Sequence, residues 1–296
     1  MAKFGDAERN IASLLSIGSS FEMNGKLYTI VNSGKPTCYH GEPKTDIYVL
    51  AEDKYSHFIE LKISFKKENA DFIENKTNPE RAEALFGNDW QSIIMEATMS
   101  IREAFLSKKL IYKSGYGRTE EGAITLGWKY ELLNKPGGEL SGIVDLTRSQ
   151  IIDVYSGTHL SSEKTDAMVN GCIIENSGIA NYMLMNDGVE TTQDVIDSII
   201  SSSDYVDEHP RVYFACKALN YRTYYNKYDG NRPLSVYIDW QIQEGKLDPI
   251  LVFDNPLCVG GNEAADALVK SLRELNIKDT RDISKNMLTA PQVIYE

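Results

Sequence analysis

The chain has 296 residues, with hydrophobic residues at 42%, aromatics at 10% and charged residues at 25%. These globular values exclude a disordered or fibrous chain and leave room for one large domain or two smaller ones. The net charge of −12 argues against a protein that coats nucleic acid without selectivity, a task for a basic surface.

The first element in chain order is a helix. Asp6 is placed to cap it, Ala7, Ile11, Leu14 and Leu15 recur at helical spacing, and Gly18 ends it. Glu8 borders the apolar stripe, where a carboxylate is either a solvated flank favoured by the helix dipole or a ligand. Residues 21–31 read as a β-hairpin turned by Asn24-Gly25. A loop over 33–42 contains Gly34, Pro36 and Gly41. Two apolar runs of strand length follow, 47–51 and 58–63, joined by a polar turn over 52–56. Asp46 opens the first strand. Glu60 and Lys62 lie two apart in the second, so their side chains leave the same face. Pairing these strands is expected to bring Asp46 close to Glu60 and Lys62. His57 has the opposite strand parity from Glu60 and reads as structural or solvent-facing.

Ser64, Lys66, Lys67 and Lys76 come next and are candidate phosphate contacts, or else a solvated edge. Asn78-Pro79 opens a helix, Gly87 interrupts it, and Asn88 or Asp89 caps a second one. Phe86, Trp90, Ile93, Ile94, Ala97, Ile101, Ala104 and Phe105 form one amphipathic stripe. Lys108, Lys109, Lys113 and Arg118, with Gly115 and Gly117, make a basic, flexible stretch suited to a DNA-contacting loop, or else cations that complement a helix C-terminus. A strand is expected at 124–133 and a turn at 134–138. In the second half a strand or two fall within 143–155. Helices are expected at 161–175, 192–202 and 263–275, and strands at 210–216, 234–240 and 249–254. Residues 211–232 reverse the overall charge. Arg211, Lys217, Arg222, Lys227 and Arg232 face one acid, Asp229, and Tyr213, Phe214, Tyr221, Tyr224, Tyr225 and Tyr228 are interleaved. That composition suits contact with phosphates and splayed bases, or a tyrosine-rich hairpin in the core.

The first residues, Met-Ala-Lys-Phe-Gly-Asp, form no apolar leader, and no apolar run has the length of a membrane span, so a cytoplasmic location is expected. Cys38, Cys172, Cys216 and Cys258 are far apart with no Cys-x-x-Cys pair, which suggests neither a disulfide framework nor a zinc knuckle.

The chemistry concentrates at 46–62. Two carboxylates offer hard oxygen ligands for Mg²⁺, and an ammonium beside them can orient a water or meet charge developing on a phosphate. The acid-x-Lys triplet alone carries little, because Glu244-Gly245-Lys246 repeats it without a strand-paired acid ahead of it. In context, Pro43-Lys44-Thr45-Asp46, thirteen intervening residues and then Glu60-Leu61-Lys62 resemble the core of the PD-(D/E)XK nuclease superfamily. Type II restriction endonucleases, Holliday junction resolvases and many phage and repair nucleases belong to it. Pro43 stands two residues further from Asp46 than the pattern has it.

The resemblance implies an α/β fold with a restriction-endonuclease-like αβββαβ core, a mixed sheet flanked by helices, over residues 1–115. Residues 116–296 would then form an α+β region for recognition or dimerisation, or join one integrated domain. It further implies a Mg²⁺-dependent DNA endonuclease of the type II restriction kind, with Mn²⁺ able to substitute. Asp46 and Glu60, with Glu8 from the first helix, would bind the metal. Lys62 would position the attacking water. The helix over 86–105 would pack on the sheet. Lys66, Lys67, Arg118, Arg211, Lys217 and Arg222 would contact double-stranded DNA, and two copies would cut both strands. Alternatives are a structure-specific nuclease of the resolvase or repair kind, or a nuclease-fold protein that only binds, such as a phage-encoded inhibitor or assembly factor.

Overall fold

The computed structural model describes residues 4–67, 72–74 and 77–296. Mixed α/β structure runs throughout. Two compact units are resolved: Met1–Asp71 with Leu146–Arg211, and Phe72–Asp145 with Val212–Glu296. The chain therefore passes between units at 71/72, 145/146 and 211/212, instead of once at 115/116. Strand pairing between segments distant in sequence is the reason.

In the first unit, α1 (Phe4–Leu14) precedes β1 (Ser20–Met23), β2 (Lys26–Gly34), β3 (Ile47–Asp53) and β4 (Phe58–Phe65). After the excursion into the second unit come α2 (Arg148–Ser156), β5 (Tyr182–Leu184), α3 (Thr192–Ser198), β6 (Ile199–Ser201) and α4 (Ser202–Glu208). The strands lie in chain order in one sheet. Every neighbouring pair is antiparallel except β4 and β5, which run parallel. The β1–β2 hairpin is the one its sequence signals, with Asn24 at φ 52° and Gly25 at φ 71° as a tight primed turn requires.

Period-2 alternation decides what the sheet buries. Ile47, Val49 and Ala51 of β3, Leu61, Ile63 and Phe65 of β4, and Leu184 of β5 share one face. They form a core with Ile11 and Leu15 from α1 and its end, and with Val195 and Ile196 of α3. Tyr48, Ser64 and Met183, of opposite parity, are buried as well. The helix α4 packs against β5, β6 and α2, with the Tyr155 and Tyr205 rings edge-to-face at 5.1 Å.

Two readings need correction. Of the strand or two expected within 143–155 only the end of Ser141–Val144 is present, in the second unit, and α2 begins at Arg148. Thr147 caps that helix in a capping box with Gln150, a signal present in the sequence. The helix expected at 161–175 is one turn, Ser162–Thr165. A small hairpin pairing Met168–Val169 with Cys172–Ile173 follows it, turned by Asn170-Gly171 with both φ positive.

The second unit is a larger, mostly antiparallel sheet, in which Ile294–Tyr295 pairs parallel with Ile111–Tyr112. Its long strands are Ala123–Leu133, Val212–Arg222, Val236–Gln243 and Lys246–Val252. The helix Gly261–Glu274 packs on it through Ala264, Ala265, Leu268 and Leu272. Gly127 sits in Ala123–Leu133 at φ 151°, and a Cβ there would meet the Val236 carbonyl at 2.5 Å. Only glycine fits such a backbone approach. The stripe expected over 86–105 is helical as Pro79–Phe86, Trp90–Met99 and Arg102–Leu106. It belongs to this unit, where Trp90–Met99 packs on the strand Ser141–Val144, and not to the sheet that carries Glu60 and Lys62.

Candidate functional site

The β3–β4 register decides which residues meet. Tyr48 lies opposite Lys62, Leu50 opposite Glu60 and Ile47 opposite Ile63. One position further puts Asp46 across from Ser64. Two backbone contacts fix it there: the Asp46 N–H donates to the Ile63 carbonyl at 2.9 Å, and the Phe65 N–H donates to Asp46 Oδ2 at 2.7 Å. Glu60 stands four residues along β4 from Ser64, roughly 13 Å at strand rise. One Mg²⁺, with oxygen bonds of about 2.1 Å, does not span Asp46 and Glu60. Glu60 is instead exposed and accepts from the Tyr48 hydroxyl at 2.5 Å. Burial, with the Glu60 carboxylate, pushes the Tyr48 phenol above its ordinary range. Lys62 takes the Asn181 side-chain oxygen on its backbone N–H at 2.7 Å. The expected triad thus keeps Asp46 at one end of the sheet and leaves Glu60 further along.

What gathers at Asp46 is a different set. Desolvation raises the Asp46 carboxyl above its ordinary range. Lys66 and the Phe65 N–H pull it back, Glu8 pushes it further up and Lys35 pulls it down. Glu8, on α1, accepts from Lys35 Nζ at 2.7 Å, with side chains 13% and 49% exposed respectively. Lys35 follows directly on β2, and its ammonium is held above its usual range chiefly by the Glu8 hydrogen bond. Ser64 shares Asp46's face, and its buried hydroxyl, like that of Thr45, has no hydrogen-bond partner among the described residues. Glu8 from α1, Lys35 after β2 and Lys66 after β4 thus all act on the charge of Asp46 at the start of β3, with the orphaned Ser64 hydroxyl across from it. Ser64 and Lys66 keep the two-residue spacing of Glu60 and Lys62, moved four positions toward the strand end. Counting register outward from the turn was the signal that would have found them.

The expected DNA contacts divide. Lys66 belongs to the Asp46 cluster, Lys67 is half-buried beside it in sequence, and Arg211 is exposed, all in the first unit. Arg118 is exposed in the second unit. Lys217 pairs with the buried Glu131 at 2.8 Å, and Arg222 pairs with Glu120 and with Asp229, the latter at 2.7 Å. Lys108 pairs with Glu139, Lys109 donates to the Gln292 carbonyl at 2.5 Å and Lys113 to that of Ile283 at 2.8 Å. These charges serve the unit itself. Phe214 and Tyr221 are buried, and Phe214 stacks on Tyr130 at 5.3 Å, so the core reading holds for those two rings. Lys76 lies outside the described residues.

No group of three or more His, Cys, Asp or Glu among the described residues is arranged to hold a metal. Mg²⁺ asks for less, one or two carboxylates with waters and substrate oxygens completing the shell. Asp46 and Glu8 are two carboxylates that act on one another electrostatically, and the Ser64 hydroxyl lies on the same face as Asp46 without a described partner. No described helix is long and apolar enough to cross a membrane. No family model matches the chain, and no curated protein and no solved structure matches it.

Proposed function

We propose that the chain is a divalent-metal-dependent DNA endonuclease of the PD-(D/E)XK type, working from Asp46, Glu8, Ser64 and Lys66. The observation that carries this reading is the convergence on Asp46 of a second carboxylate, two ammonium groups and a buried hydroxyl without a partner. The element order supports it. The first unit runs helix, four antiparallel strands, helix and a strand parallel to the fourth, which is the αβββαβ order the resemblance implies with one strand more. A type II restriction-like enzyme is the first subtype, and a structure-specific nuclease the second.

Asp46 and Glu8 would hold the metal, Mg²⁺ or Mn²⁺, which supplies a Lewis acid for a phosphoryl oxygen and a lower pKa for bound water. The protein's own groups do the positioning. Lys66 faces the negative charge that builds on the phosphate as water adds and the P–O3′ bond breaks. The Ser64 hydroxyl donates to a phosphate oxygen. The desolvated carboxylate of Asp46, fixed by the Phe65 N–H, does not need to reorganise.

The test is supercoiled plasmid with Mg²⁺, beside EDTA, using wild type and the variants Asp46→Ala, Lys66→Ala and Lys62→Ala. Metal-dependent cleavage is expected, abolished in Asp46→Ala and reduced about a hundredfold or more in Lys66→Ala. Lys62→Ala is expected to cut nearly normally. Loss in Lys62→Ala with retention in Lys66→Ala would return the site to Glu60 and Lys62. Absence of cleavage on duplex, single-stranded, branched and RNA substrates alike would end the nuclease reading.

A further inference from the structure

We propose that Lys35 serves two anions in turn: Glu8 in the metal-free protein, and a substrate phosphate once a divalent cation has taken Glu8. This rests on the reading of Asp46 and Glu8 as metal ligands.

The geometry that points to it is the Lys35–Glu8 pair. Lys35 Nζ is 2.7 Å from Glu8 Oε1, so it engages one of the oxygens a metal would need from that carboxylate. Glu8 is mostly enclosed, whereas half of the Lys35 side chain is in solvent. A carboxylate so enclosed needs a counter-charge. The lysine, on a long flexible stem, is the partner free to swing away. Its backbone is anchored, since it directly follows Gly34, which pairs with Tyr48. The released ammonium therefore stays beside Asp46, whose charge it already feels.

Charge counting gives the exchange its direction. Glu8, Asp46, Lys35 and Lys66 sum to zero in the metal-free protein, and Glu42 adds a smaller pull on Lys35. A divalent cation makes the four groups net positive and frees Lys35 at the same step. A chain of net charge −12 would then create its attraction for a polyanion locally, on metal loading, without a standing basic face. Metal and nucleic acid would bind with positive coupling, each favouring the arrangement the other needs.

The experiment measures Mn²⁺ binding by calorimetry or electron paramagnetic resonance, without nucleic acid, for wild type, Lys35→Met and Lys35→Arg. Asp46→Asn and Glu8→Gln serve as site controls. Lys35→Met removes the competitor and is expected to bind Mn²⁺ about tenfold more tightly. Lys35→Arg keeps the competitor and is expected to bind no more tightly than wild type. In the presence of Ca²⁺ and a phosphorothioate duplex, Lys35→Met is expected to lower the salt dependence of DNA binding by about one phosphate contact. A pair that merely ties α1 to β2 would change thermal stability in Lys35→Met, be rescued in Lys35→Arg, and leave Mn²⁺ affinity and salt slope where they were; that result overturns the proposal. If the site controls abolish Mn²⁺ binding while Lys35→Met leaves it unchanged or weaker, the exchange alone fails. If the controls leave Mn²⁺ binding intact, the metal reading of Asp46 and Glu8 fails and takes the exchange with it.

Discussion

Two aspartates of the first unit titrate in opposite senses, and the difference is local. Asp46 is raised because desolvation outweighs Lys66 and the single backbone donor from Phe65. Asp53 is held down to about 2, first by the backbone N–H of His57, with the His57 ring and the Tyr55 N–H adding to it. Their linkage to stability therefore differs in sign. For Asp46 the folded pKa lies above the unfolded one. Its contribution is fully present below the unfolded pKa and is lost as pH rises through the folded value. At neutral pH the ionised Asp46 works against folding, so Asp46→Asn is expected to stabilise the protein, by about 1 kcal/mol as removal of a functional strain commonly does, while abolishing metal binding. Urea unfolding at neutral and acid pH checks this, and a gain confined to neutral pH is the expected result. For Asp53 the folded pKa is depressed. Its contribution is present above the ordinary carboxylate pKa and is lost as pH falls through about 2. Asp53→Asn is expected to lower the urea midpoint at neutral pH and to flatten the acid limb of the stability curve. An acid limb identical to wild type would show that the His57 contacts do not hold the turn.

At the scale of elements, composition revealed what each segment is but not what it pairs with. The Asn24-Gly25 turn, the two motif strands and the stripe over 86–105 are all present, because turn chemistry and hydrophobic period are written locally. The β3–β4 register was not legible in the same way. The connecting turn lacks an Asn-Gly signal and closes through Ser56 at φ 60°, with the Asp53 N–H on the His57 carbonyl at 3.0 Å. That closure extends β3 to Asp53, and counting outward from it carries Asp46 past Glu60 to Ser64. A register is a relation between strands, and a small change in turn length moves every partner. The basic segment at 211–232 shows the same limit. Its charge reversal is real in sequence, but the pairing of Lys217 with Lys129 across the Val212–Arg222 and Ala123–Leu133 strands sets both lysines on Glu131, at 2.8 Å and 2.6 Å. Glu131 is 2% exposed, so these lysines neutralise a buried charge. Lys217→Ala is expected to cost about 1–2 kcal/mol of stability, less than a fully buried pair because Lys129 remains. It is expected to leave the salt slope of nucleic-acid binding unchanged. A lower slope with intact stability would restore the phosphate-contact reading.

At the scale of the whole molecule, the division of the chain makes a sharp prediction about fragments. A cut at 115/116, natural from the sequence, would keep β1 to β4 and remove β5, the parallel neighbour of β4. It would also remove Leu184, Val189, Val195 and Ile196 from the core that Ile11, Leu15, Ile47 and Leu61 share. Each such side chain contributes about 1.5–3 kcal/mol when buried. Losing four of them therefore removes stabilisation comparable to the whole stability of a small domain, about 5–15 kcal/mol. Residues 72–115 would in addition lose the strand Ala123–Leu133 with which Phe72–Glu74 and Ile111–Tyr112 pair. The fragment 1–115 is accordingly expected to show no cooperative thermal transition and to bind a hydrophobic dye. A chain that joins 1–71 to 146–211 through a flexible linker retains every member of that core and both neighbours of β4. It is expected to melt cooperatively and, under the reading of Asp46 and Glu8 as ligands, to bind Mn²⁺ with wild-type affinity. A cooperative 1–115 fragment would mean that the parallel strand and the helices after it are accessory to this fold. A spliced chain that folds but loses Mn²⁺ would mean that residues from 72–145 or 212–296 complete the metal site.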